Sequence, residues 1–239
     1  MNFKLLLIFL ITTTILIALI STTSFSKIYG YENDNMKKQY PNDNSYNVKM
    51  NYKKDKAVVF LPDDKIAKLG DQWWKWAYSI NTETDINPFS EFNQEGCDAG
   101  LHDSGKFLFL IGAEDLPRIT CDINQEVKIL FPIISVLCNS LDSPPFFGSN
   151  EDEQRECSEI IMDKAFDLEF KINGYPVKDI EKYRLDSPEG EVKFTAAQNN
   201  PFFPSEGEGT GVSDGFWILL QLPTGENTLS FKGSVDLSE

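Results

Sequence analysis

The chain has 239 residues, 37 of them Asp or Glu against 22 Lys or Arg, for a net charge of −15 at pH 7. So large an excess of carboxylates argues against nucleic acid as a partner, because such binding needs cations that neutralise phosphates. One histidine, His102, and no Cys-x-x-Cys pair argue against histidine-cluster copper sites, most zinc hydrolases and Cys-ligated zinc, so neither a metal nor a cofactor is expected.

Met1-Asn2-Phe3-Lys4 carries one positive charge, and the sixteen residues from Leu5 to Ile20 carry none. Ser21 to Ser26 are small and polar apart from Phe25. Charge, apolar run, then small residues is the order of an export signal, with cleavage after Ser26 and Lys27 as the first mature residue. The alternative is an uncleaved anchor, a membrane tether through residues 5–20, although a comfortable span needs roughly 20 residues. Residues 27–56 hold seven Lys against four acids and no apolar periodicity, and read as a flexible polar linker. Residues 57–239 hold fourteen basic and thirty-three acidic residues, net −19, and are long enough for one domain.

Asp63 or Asp64 caps an expected helix running to about Ile80. Ile66, Leu69, Trp73, Trp76, Ala77 and Ile80 share its inner face, with Trp74 and Tyr78 as a second aromatic strip. Gly70 would cost that helix about 1 kcal/mol relative to Ala, which implies a tight neighbour. Strands are expected at Lys106–Ile111 and Val127–Leu137. A second helix is expected over 151–166, capped by Asn150 with Glu153 at capping-box spacing, and Cys157, Ile160, Ile161 and Ala165 as its inner face. Phe166–Ile172 alternates as a strand and ends at the turn Asn173-Gly174. Val192–Thr195 is a short strand. Gly215–Leu222 and Asn227–Val235 are expected to pair as a hairpin across Pro223-Thr224-Gly225-Glu226. The fold class is therefore mainly β with two helices, a β-sandwich of jelly-roll or immunoglobulin-like type.

Four cysteines behind an export signal read as disulfides. Of the three pairings, nearest neighbours are favoured, Cys97–Cys121 and Cys138–Cys157. Trp74 and Tyr78 are candidate stacking residues for a ligand, with Trp217 the more core-like ring. Phe146, Phe147, Phe202 and Phe203 lie in two apolar loops, where such residues either plug a core edge or meet a partner.

Gly211-Val212-Ser213-Asp214-Gly215 matches the Gly-x-Ser-x-Gly form of a nucleophile elbow, but no strand precedes it, no helix follows and no histidine lies downstream. It reads as a loop-to-strand junction, and no catalytic residue is assigned. Acid pairs for glycosidase chemistry would come from Asp186, Glu189 and Glu191, or from Glu206 and Glu208. Asn150 to Glu153 read as a helix end in preference to a calcium site.

Trp74-Lys75-Trp76, Gly96-Cys97, Phe107–Gly112, Arg118-Ile119-Thr120-Cys121, Lys128–Ile133, Val212–Trp217 and Gly225–Gly233 together resemble a family of uncharacterised exported proteins of archaeal and bacterial genomes. The resemblance spans most of the chain after Ala57 and implies a discrete exported domain; no activity comes with it. At Gly100-Leu101 the chain departs from the Gly-Gln pair usual in that family. The expectation is an exported or surface-tethered, non-catalytic β-sandwich that binds an extracellular ligand or protein partner. The alternatives are an exported carboxylate hydrolase acting on glycan or peptide, and a structural envelope component.

Overall fold

Asp63 starts the first helix: its carboxylate accepts from the Lys65 and Ile66 amides at 2.9 and 3.1 Å, satisfying donors that have no intrahelical partner. In the computed structural model, residues 57–88, 93–111, 120–124, 126–188, 190–202 and 206–238 are described. The expected export segment and linker, residues 1–56, lie outside them.

Among the described residues the chain is mainly β, with three α-helices and two sheets. The helices are α1 (Asp64–Ser79), α2 (Gln94–Ala99) and α3 (Glu151–Met162). Strands β1 (Val58–Val59), β2 (Leu101–His102), β3 (Phe107–Phe109), β4 (Lys128–Asn139), β7 (Arg184–Asp186), β8 (Val192–Ala196) and β9 (Gly207–Gln221) form the larger sheet. One edge of β9 pairs with β4, and the other is taken in turn by β8, β7 and β1. The smaller sheet has β5 (Ala165–Ile172) between β10 (Leu229–Val235) and β6 (Tyr175–Pro176).

The expected hairpin is corrected here. β10 pairs with β5, not with β9, because both edges of β9 are occupied and the chain after Gln221 must cross to the other sheet. The Asn173-Gly174 turn holds as expected, with φ of 53° and 79°. The second helix ends at Met162, short of 166, and α2 was not legible.

Two apolar clusters flank the larger sheet. On one side α1 packs through Ile66, Trp73, Trp74, Ala77 and Tyr78 against Leu130, Leu137, Phe194, Trp217 and Leu219. On the other, Ile129, Phe131, Val136, Phe216 and Ile218 meet Ile161 and Met162 of α3 and Phe170 of β5. Alternation along β4 and β9 sends successive side chains to opposite clusters. The stripe on α1 is therefore rotated from the expected one. Trp74 and Tyr78 join the buried face, and Leu69 and Trp76 are only partly covered. In α3 Ile160 is exposed, whereas Gln154 and Ser158 are buried.

Both disulfides pair nearest neighbours, Cys97–Cys121 and Cys138–Cys157. Such bonds suit an oxidising, extracytoplasmic compartment. Among the described residues no helix is long and apolar enough to cross a membrane.

Candidate functional site

Asn200 finishes α1. Its amide nitrogen donates to the carbonyls of Ala77, Tyr78 and Ile80 at 2.8, 2.9 and 3.0 Å, satisfying acceptors that the helix end leaves open. The turn that follows is held by Asn81, whose backbone amide donates to Asp85 and whose side-chain oxygen accepts from the Glu83 amide. Two open depressions flank this end of the helix, and Ser79 lines both.

The first, about 400 Å³, is walled by Trp76, Ile80, Ile86 and Pro88, with Thr84 and Asp85 supplying polar groups. Trp76 is fixed in place: its Nε1 donates to Ala99 O at 3.1 Å, and its ring packs edge-on against Trp73 and Phe109. The second, about 620 Å³, brings Lys75 of α1 beside Lys193 and Thr195 of β8, Ser140, and Glu208 and Thr210 of β9. Glycines make room along β9. A methyl at Gly209 would lie 2.7 Å from the Phe194 ring and 2.9 Å from Leu141, so only hydrogen lets that side of the strand close.

Beneath these depressions the interface of α1 with the sheet is partly polar. Ser187 Oγ and Ser213 Oγ donate to one oxygen of Asp71 at 2.6 and 3.2 Å, and Ser187 Oγ accepts from the Ser213 amide. Burial raises the Asp71 carboxyl above its ordinary range, and the two hydroxyls, Lys75 and Arg155 oppose that rise. Farther along, Asn139 Nδ2 donates to Asp142 at 2.7 Å and contacts the Tyr78 hydroxyl at 3.3 Å. Burial, with the charge of Asp142 beside it, pushes the Tyr78 phenol far up. Asp142 is itself raised by burial.

Ser213 lies in the middle of β9, not at a loop-to-strand junction, and is 2% exposed. Its hydroxyl is engaged by Asp71, so the apparent elbow is a core contact. Asp214 beside it takes a two-pronged bond from Arg184, with Nη2 to Oδ2 at 2.6 Å and Nε to Oδ1 at 3.2 Å. Arg184 also reaches Asp163 and Glu159 O, which ties β7 and β9 to the end of α3.

The sequence-derived candidates are dispersed. Trp74 and Tyr78 are buried, their rings against Phe202 and Phe194. Phe146 packs on one cluster and Phe202 on the other, both plugging core edges; Phe147 is 42% exposed, and Phe203 lies outside the described residues. Of the acid candidates, Asp186 pairs with Arg155, Glu191 accepts from Thr210, and Glu208 lines the second depression. Glu189 is outside the described residues. His102 stacks on Phe109, ring centroids 4.7 Å apart. At the start of α3, Asn150 accepts from the Glu153 amide, and the Glu153 carboxylate accepts from Ser149. That is the expected helix end. Among the described residues no group of His, Cys, Asp or Glu is arranged to hold a metal ion.

Sequence reasoning missed Lys75, Trp76 and Ser79, although Ser79 lies four residues after Lys75 and three after Trp76 and so neighbours each of them on the helix. No family model matches the chain, and comparison with curated proteins and with solved structures gave no match.

Proposed function

We propose that the chain is an exported or surface-tethered, non-catalytic domain that binds a ligand in the groove around Ser79. The observation that carries this reading is the pair of depressions meeting at Ser79, one walled by a tryptophan fixed through Ala99. Concave sites with an aromatic wall and a few polar groups are the usual form of small-ligand sites, and a held ring loses little freedom when it binds. The half-buried Asp71 and the buried Asp214 are committed to serine hydroxyls and to Arg184, which favours a structural role for them over hydrolysis. Export is supported by the two disulfides and by the hydrophobic leader. The sandwich form of the fold belongs to the same reading: Phe131 meets Phe170 and Phe231 across the two sheets at 5.2 and 4.7 Å.

The test is calorimetric titration of the disulfide-bonded chain with cellotetraose and tetragalacturonate, against a Ser79→Trp variant that places a bulky ring where the two depressions meet. Binding by the parent, lost in Ser79→Trp at unchanged thermal stability and without release of reducing ends, supports the reading. Undiminished binding by Ser79→Trp, or hydrolysis of either probe, contradicts it.

A further inference from the structure

The second depression differs in charge from the domain around it. Lys75 and Lys193 are exposed and line the same space. Arg155, Arg184, Lys106, Lys171, Lys182 and Lys232 each pair with a carboxylate. Neither Lys75 nor Lys193 has a carboxylate within ion-pair distance among the described residues. Lys65, Lys68, Lys164 and Lys178 likewise have no such partner among the described residues; what sets Lys75 and Lys193 apart is that both line one depression. Among the described residues Glu208 is the one carboxylate in its lining, with Glu191 held at its edge by the Thr210 hydroxyl, so the depression is far less acidic than the domain as a whole.

Hydroxyl groups accompany the lysines. Ser79 Oγ spends its proton on Trp76 O at 2.7 Å and keeps acceptor capacity. Ser140 Oγ accepts from the Thr210 amide at 3.0 Å and keeps its proton to donate. Trp76, about one helical turn before Ser79, lines the adjoining depression. An aromatic wall in one depression and a pair of exposed ammonium groups in the next suit a ligand with a flat apolar face and an anionic substituent.

Resting on the reading above, we propose that the groove takes an acidic oligosaccharide, one sugar ring lying against Trp76 and its anionic group meeting Lys75 and Lys193. The overall charge of the domain does not forbid this. At physiological ionic strength the screening length is about 8 Å, so two ammonium groups in contact outweigh carboxylates farther away.

The chain is titrated with tetragalacturonate, a chondroitin sulfate tetrasaccharide and neutral cellotetraose, and so are Lys75→Gln and Lys193→Gln. Both substitutions are at exposed positions. The expected result is binding of at least one acidic probe about tenfold more tightly than cellotetraose, with each substitution costing about tenfold for the acidic probe and nothing for the neutral one. Preference between the acidic probes identifies the anion as carboxylate or sulfate. Equal binding of cellotetraose and the acidic probes, or Lys variants that bind as the parent does, overturns the anion subsite and leaves the groove reading standing. Failure of all three probes to bind overturns both.

Discussion

Gly70 lies against the indole of Trp217: a methyl group on it would sit 2.9 Å from Cε2 and 3.1 Å from Cζ2 of that ring. Trp217 is 1% exposed and packs edge-on against Trp73 at 5.7 Å, so it cannot step aside. Ala in a helix interior gains about 1 kcal/mol over Gly, whereas overpacking a core costs about 1–3 kcal/mol. Gly70→Ala is expected to destabilise slightly, and Gly70→Val by more than about 2 kcal/mol, measured by urea unfolding. A stabilised Gly70→Ala would contradict this packing.

The Arg184–Asp214 pair supports a second prediction. The Asp214 side chain is 2% exposed, so Arg184→Met leaves a buried charge without its partner. That loss should cost about 3–5 kcal/mol. Replacing both, Arg184→Met with Asp214→Asn, should cost clearly less than the two single changes added together. Additive losses in the double-mutant cycle would mean that the two residues act independently.

Asp71 gives a pH dependence with a definite sign. Burial raises its carboxyl in the folded state, so the folded protein holds this proton more tightly than the unfolded chain does. Its contribution favours folding at low pH and is lost as pH rises through the raised value. Asp142 and Asp214 act in the same direction. In Asp71→Asn the amide oxygen can still accept from Ser187 and Ser213, and nothing titrates. Unfolding free energies measured between about pH 4 and pH 7 should shift in favour of the variant as pH rises. A parent that gains on Asp71→Asn over that range would refute the assignment.

Much of the scaffold was legible in the sequence because local rules produce it. Asp63 and Asn150 cap their helices, Asn173-Gly174 makes its turn, and the cysteines close short loops with their neighbours. What was not legible depends on contacts distant in sequence. Gly211 to Gly215 read as a loop-to-strand junction, yet β9 already begins at Gly207, where glycine is needed because Leu141 and Phe194 press on Gly209. The partner of β10 was misread because no local signal reveals that both edges of β9 are filled. Trp74 and Tyr78 suggested an exposed platform, but Phe194 and Phe202, more than a hundred residues later, cover them. The groove was missed because it draws on α1, β8 and β9 together.

Each disulfide should matter to stability by a similar amount. The bonds span 24 and 19 residues, and closing loops of that size constrains the unfolded chain by about 3 kcal/mol each in the chain-entropy model. Cys97→Ala/Cys121→Ala and Cys138→Ala/Cys157→Ala should each lower the unfolding free energy by about that much. Peptide mapping without reductant should recover only these two pairs; any crossed pair would contradict the fold.

The most direct test of the account is chemical-shift mapping of the 15N-labelled chain with tetragalacturonate. The groove reading predicts saturable shifts that cluster at Lys75, the Trp76 indole, Ser79 and Lys193. Shifts centred elsewhere, for example around exposed Phe147, or no shifts with tetragalacturonate, the chondroitin sulfate tetrasaccharide or cellotetraose, would contradict it.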